Sequence, residues 1–177
     1  MKKILYLLIV LLVIGGGVML ANELLINGPV KTKLQTDPRN QGIALNAHYR
    51  NYVLPGALVL NITGITGSQS PLDVFRAVLQ ASQALKDKDF KEVFLACKGT
   101  NRFKLTGAYF KELGTTYDNQ NPLYTVRTFP ANVQNLDGTP AYGQPEGGLF
   151  GAFTAGVEQF TDLSQKWYAN ELFNGPR

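Results

Sequence analysis

Few residues in this chain could do covalent chemistry, and they do not assemble into a motif. There is one cysteine, Cys97, and one histidine, His48. A thiolate–imidazole pair needs the cysteine beside the imidazole in an electropositive place, usually a helix N-terminus. Cys97 instead ends the apolar run Val93-Phe94-Leu95-Ala96, which reads as a buried strand, so a structural core cysteine is expected. His48, in Asn46-Ala-His-Tyr-Arg50, has no motif around it and reads as a surface or packing residue. One Cys and one His also fall short of the usual zinc ligand set, so no metal and no cofactor are expected. No paired carboxylates stand out either, and the catalytic residues, if there are any, stay unassigned.

Gly64-Ile-Thr-Gly67-Ser68-Gln-Ser70 joins an apolar strand to a helical pattern, and such a loop can aim backbone N–H groups at a phosphate. It lacks the Gly-Lys-Ser/Thr of a P-loop, the third glycine of a dinucleotide fingerprint and a G-x-S-x-G elbow. Capping of the helix by Ser70 explains it as well. Lys98, Arg102 and Lys104 gather around a predicted hairpin, and no acid lies between Val93 and Lys111. They are candidate anion contacts, with a solvated hairpin as the competing reading. The segment Asn121–Pro130, holding Tyr124, Arg127 and Phe129, and the pair Trp167-Tyr168 concentrate aromatic side chains. These five are candidate interface residues, because aromatics with an arginine are typical anchors; an aromatic core has the same composition.

The elements that must position these residues begin with a leader. Met1-Lys2-Lys3 precedes eighteen uncharged residues, Ile4–Ala21. As a helix they measure about 27 Å, near the roughly 30 Å of a bilayer core. Their six Leu, three Ile and three Val favour insertion by about 5 kcal/mol in sum. A secretory signal would be cut after Ala21, but Met19 is not the small residue such a site prefers, and the run exceeds a typical h-region. An uncleaved anchor is expected, with the lysines inside and the C-terminal domain outside the cytoplasm, periplasmic or at the cell surface; cleavage would make it secreted. Residues 1–26 form the anchor, 27–42 a Pro-, Gly- and Lys-rich spacer, and 43–177 the domain.

The net charge of +4 sits mostly at that membrane flank, since 13 basic and 12 acidic residues follow from Leu34 onward. No nucleic-acid partner is expected, and an RNA-binding sheet would need stacking aromatics that the first strand lacks. Within the domain, Ala57–Thr63 reads as a buried strand. Leu72, Phe75, Val78, Leu79, Ser82 and Leu85 form the stripe of a helix with Ser70 as its cap, Pro71 at its first position and Asp73 near the positive end of its dipole. Lys91–Cys97, Arg102–Thr106 and Leu123–Thr128 read as strands, the last two by alternation. Ala108–Leu113 reads as a short helix ended by Gly114. After a turn-rich stretch, Phe150, Phe153, Val157, Phe160, Ser164 and Trp167 mark a C-terminal helix.

This order predicts an α+β protein: an N-terminal transmembrane helix, then a ferredoxin-like (split βαβ) sandwich with an added C-terminal helix. The expected function is a membrane-anchored extracytoplasmic binding or assembly module of an envelope complex, with the membrane held through Ile4–Ala21 and a protein as partner. The alternative is a small exported enzyme with a site built from loops near Gly64–Ser70.

Overall fold

The computed structural model describes residues 2–119, 121–144 and 148–173. It opens with one long helical rod, α1 (Lys2–Asn22), a π-helical turn (Glu23–Asn27) and α2 (Gly28–Gln35). The rod is long and apolar enough to cross a membrane, and its apolar stretch makes no buried contact with the rest of the chain. The stretch expected as a spacer is therefore helical over Gly28–Gln35. Val30 and Leu34, with Ile26 before them, are buried at spacings of four. Gly28-Pro29 and the surrounding polar residues hide that stripe in the sequence.

The π turn has a local cause. Pro29 has no N–H and its ring crowds the preceding turn, which a widened turn relieves. The Gly28 N–H bonds to Glu23 O, and a side chain at residue 28 would press on that same oxygen at 2.8 Å. In an α-helix, residues five apart point about 140° away from each other. The wider turn brings Asn22 and Asn27 toward one side, where both meet the sheet.

That sheet has four strands in sequential order: β1 (Ile43–Arg50), β2 (Leu54–Ile65), β3 (Glu92–Cys97) and β4 (Thr100–Thr106). β1–β2 and β3–β4 are antiparallel hairpins, and β2–β3 is a parallel pair joined through α3 (Pro71–Ala84). The second hairpin turns on Lys98 and Gly99, both at positive φ. This is a ββαββ sheet without the interleaved order of a split βαβ sandwich. The ferredoxin-like expectation needed a last strand at Leu123–Thr128, and that segment is α5 (Pro122–Thr128). Asn121 caps it, its Oδ1 accepting the Leu123 N–H at 3.0 Å, and Pro122 stands at its first turn. These start signals outweigh the alternation that reads as a strand.

One sheet face carries the core: Leu58, Leu60, Ile62, Val93, Leu95 and Leu105 are all fully buried. The helical rod, α3 and α4 (Gly107–Thr116) pack within the same cluster. Gly114 does not end α4; it lets α4 lie against α3, since a Cβ there would collide with Ser82 O. The chain closes with α6 (Gly148–Ser164), a second π turn (Gln165–Ala169) and α7 (Asn170–Phe173). In the expected C-terminal stripe, Phe160, Ser164 and Trp167 are buried while Phe153 and Val157 are exposed. The Phe150 side chain lies outside the described residues.

Direction follows from pairing. The Tyr49 N–H donates to Asn22 Oδ1 at 2.8 Å and the Ala47 N–H to Asn27 Oδ1 at 3.1 Å. The rod thus runs antiparallel to β1 and covers two donors of this edge strand, which would otherwise be open to other chains. Five helical residues rise about 7.5 Å and two strand residues about 6.8 Å, so the two spacings match. The domain has a near end, where α1 arrives, carrying the β1–β2 hairpin and the α3–β3 loop. Its far end carries the β2–α3 loop and the Lys98-Gly99 turn.

Candidate functional site

Along α3 from Leu72 to Leu79, α5 and the residues that follow α4 enclose an open groove of about 490 Å³. Its floor is Phe75, Leu79 and Val126, all nearly buried, and its rim includes the exposed Leu72 and Leu123. Tyr124, next to Leu123 on α5, is exposed as well, with the Arg127 guanidinium 5.2 Å from its ring centroid. Leu72 therefore leaves the buried stripe expected of α3. The groove exists because α5 is a helix: Pro122-Leu123 present their side chains toward α3 from its first turn.

A polar network forms one wall. Asp37 accepts Arg39 Nε and Nη2 at 2.9 and 2.7 Å and Gln80 Nε2 at 2.9 Å. Arg76 donates to Asp73 Oδ1 at 2.8 Å and to Arg39 O at 2.9 Å. The Arg39 hydrogen bonds hold the Asp37 carboxyl well below its ordinary range. Charges on this wall are thus largely paired, and the Arg39 side chain remains exposed on the rim. The groove is an apolar slot with an edge of hydrogen-bonding groups.

The residues singled out by sequence do not form one site. Tyr124 and Arg127 stand on α5 outside the groove lining, with Arg127 packed against Gly156 of α6. Phe129 is fully buried and packs edge-on against Phe75 at 4.8 Å between ring centroids. Trp167 and Tyr168 are buried in the same part of the core, lining one small cavity with Phe75, Phe129 and Phe160, and Trp167 Nε1 donates to Ala96 O at 3.1 Å. That carbonyl lies where the β3–β4 register slips, the slip that leaves Arg102 without a paired residue. Arg102 turns to Glu171 Oε2 at 2.6 Å, Lys98 Nζ reaches Glu171 O at 3.4 Å, and Lys104 Nζ reaches Glu92 Oε1 at 2.6 Å. The candidate anion contacts are therefore engaged by this chain's own acceptors.

Cys97 is fully buried beside that cluster, and its thiol is pushed up to about 11 by burial first and by Glu171 second. His48 sits on β1, half-buried, its Nδ1 2.8 Å from Tyr49 O and its ring stacked on Tyr52. On the Gly64–Ser70 loop, Ser70 and Asp73 form a reciprocal cap: Ser70 Oγ accepts the Asp73 N–H at 3.3 Å, and Asp73 Oδ2 accepts the Ser70 N–H at 2.8 Å. The Asp73 carboxylate thus occupies the helix end where a phosphate would sit. Among the described residues, no group of three His, Cys, Asp or Glu side chains could hold a metal ion. The chain matches no protein-family model, no curated protein and no solved structure.

The groove was not visible in the sequence because it depends on reading Leu123–Thr128 as a helix. The signal that could have found it is the Asn121-Pro122 start pair, followed by two large apolar residues with no place in a buried stripe.

Proposed function

We propose that the protein is a single-pass membrane-anchored binding module that presents its α+β domain outside the cytoplasm to a protein partner in a membrane complex. The partner inserts an apolar side chain or short apolar segment into the groove between α3 and α5. One observation carries this reading: the apolar groove runs beside the first half of α3, which starts at the far end of a domain whose near end is clamped onto a helix fit to span a bilayer. An anchor docked in this way holds the groove facing away from the membrane. Lys2 and Lys3 before the apolar run favour retention of the N-terminus inside, as positive flanks do. Exposed apolar groups beside a preformed slot are the usual marks of a protein contact.

The test pairs a photo-cross-linker at Tyr124 with the substitution Leu123→Asp, both in full-length protein extracted in mild detergent. A discrete adduct from Tyr124 is expected, and Leu123→Asp should abolish it and the matching co-purified protein without changing thermal unfolding. An unchanged set of co-purified proteins in Leu123→Asp would overturn the groove as the docking site.

A further inference from the structure

The β1–β2 hairpin stands at the near end of the domain, and one side chain fixes its level along the helical rod. Asn22 Nδ2 donates to Val18 O at 2.9 Å and also to Tyr52 O at 2.7 Å. Helix side chains lean toward the N-terminus, so Tyr52 lies beside the turn Val18–Asn22. That turn closes the apolar run Ile4–Ala21, whose length of about 27 Å nearly fills a bilayer core of about 30 Å. A hairpin held beside its last turn meets the boundary between acyl chains and headgroups.

The composition of the tip agrees with that level. Asn51-Tyr52-Val53-Leu54-Pro55 carries no charge, and no charged residue follows until Asp73. Tyr52, Val53 and Leu54 are 39%, 59% and 46% exposed, whereas hairpin tips in water are ordinarily polar. Met19 and Leu20, both exposed on the rod, line the same surface hollow as Tyr52, so apolar side chains of helix and hairpin stand at one level, with the polar part of the hollow, Glu23, Asn27 and Asn46, farther along the rod.

The backbone gives a second, independent sign. Asn51 and Tyr52 have φ of 52° and 63°. Asparagine tolerates this left-handed conformation, but a bulky residue does so at a cost that glycine would avoid. Tyr52 holds that costly position with its ring stacked flat on His48, centroids 4.5 Å apart and planes within 9°. Tyrosine is a residue favoured at the membrane–water boundary. Cations flank the tip: Arg50 precedes it, and the Lys91 N–H bonds to Gly56 O at 2.7 Å, bringing the loop with Lys86 and Lys88 to the same end. Of the two acids in that loop, Asp89 is paired with Lys111.

We infer that the β1–β2 hairpin is a second membrane contact, its Tyr52-Val53-Leu54 tip seated among the phospholipids of the leaflet from which the helix emerges. The occupant is the headgroup–acyl boundary itself, with Lys91 at the level of the phosphates. This rests on the anchor reading, because the helix sets the depth.

Nitroxide labels test both together. Val53→Cys, Leu12→Cys and Ser68→Cys are labelled in the full chain, reconstituted in phosphatidylcholine–phosphatidylglycerol vesicles. The wild-type chain, with its buried Cys97, serves as the blank. Collisions with oxygen, which partitions into acyl chains, are compared with those of a water-soluble nickel chelate. The Val53 label should favour oxygen and report a depth about 5–10 Å below the phosphates. Ser68, beyond the other end of β2, should favour the chelate. A Val53 label as open to the chelate as Ser68, with Leu12 shielded, would overturn the hairpin contact while the anchor stands. A Leu12 label open to the chelate would sink the anchor, and the hairpin contact with it.

Discussion

Asp73 does the work of an anion at the start of α3, and its titration follows from that. The hydrogen bonds of Ser70, side chain and backbone, and then of Arg76, hold its carboxyl at about 2 instead of its ordinary 3.8. A carboxyl lowered on folding contributes stability that is fully present above its unfolded value and is lost as pH falls through its folded value. The contribution from Asp73 should therefore persist down to pH about 4 and vanish near pH 2. Denaturant midpoints measured from pH 5 to pH 2 should show wild type above Asp73→Asn at the upper end, with the gap closing toward the lower. A gap that stays constant over the range would show that the carboxylate charge contributes nothing. At this scale the sequence was readable: Ser70, Pro71 and Asp73 are a start signal in themselves, and the cap they form is the one expected. The buried thiol of Cys97 was readable too, because a cysteine at the end of an apolar strand has few other places to go.

At the scale of elements, the clamp between rod and sheet is the feature most exposed to test. Asn22 is buried, and its amide satisfies Val18 O, Tyr52 O and the Tyr49 N–H at once. Asn22→Ala strands Tyr49 N–H and Tyr52 O without partners, at about 1–3 kcal/mol for each group that water cannot reach. Chemical unfolding of the variant in detergent should register a loss in that range; a loss within about 0.5 kcal/mol would mean that the edge strand holds without the rod. No periodicity announces such a clamp. The amides lie five apart, a spacing that puts them on different faces of a regular helix, and only the π turn before Pro29 aligns them. β1 was missed for a related reason: Ile43–Arg50 mixes asparagine, histidine and arginine with its apolar residues, since its outer face is polar and one edge is closed by side-chain amides. β2, α3, β3, β4 and α4 were legible because each buries one regular face. Leu123–Thr128 reads as a strand because six alternating residues fit one, whereas the Asn121-Pro122 cap ahead of them decides for a helix. A split βαβ sandwich follows from the two together, β1 unseen and α5 read as a strand.

For the whole molecule, the question is how much of the helical rod belongs to the domain. Residues up to Ala21 contact it only at their last turn, whereas Ile26, Val30 and Leu34 are part of its core. Burying each of these three is worth about 1.5–3 kcal/mol. Their sum is comparable with the 5–15 kcal/mol of net stability typical of a domain. A chain beginning at Asn22 should therefore unfold at a temperature close to that of the full chain, while one beginning at Thr36 should be largely unfolded. The same boundary bears on processing. Cutting after Ala21 requires the helix to open locally, and here Asn22 is tied both to Val18 O and to the hairpin. Proteolysis acts on the opened form, so these ties protect the bond once the domain has folded. Met19 already makes the site a poor one before folding. Intact-mass measurement of protein extracted from membranes should thus return a chain that keeps Ile4–Ala21. A mass corresponding to a start at Asn22 would show that cleavage precedes folding, and the domain would then reach the far side of the membrane free, with its core stripe intact and its anchor gone.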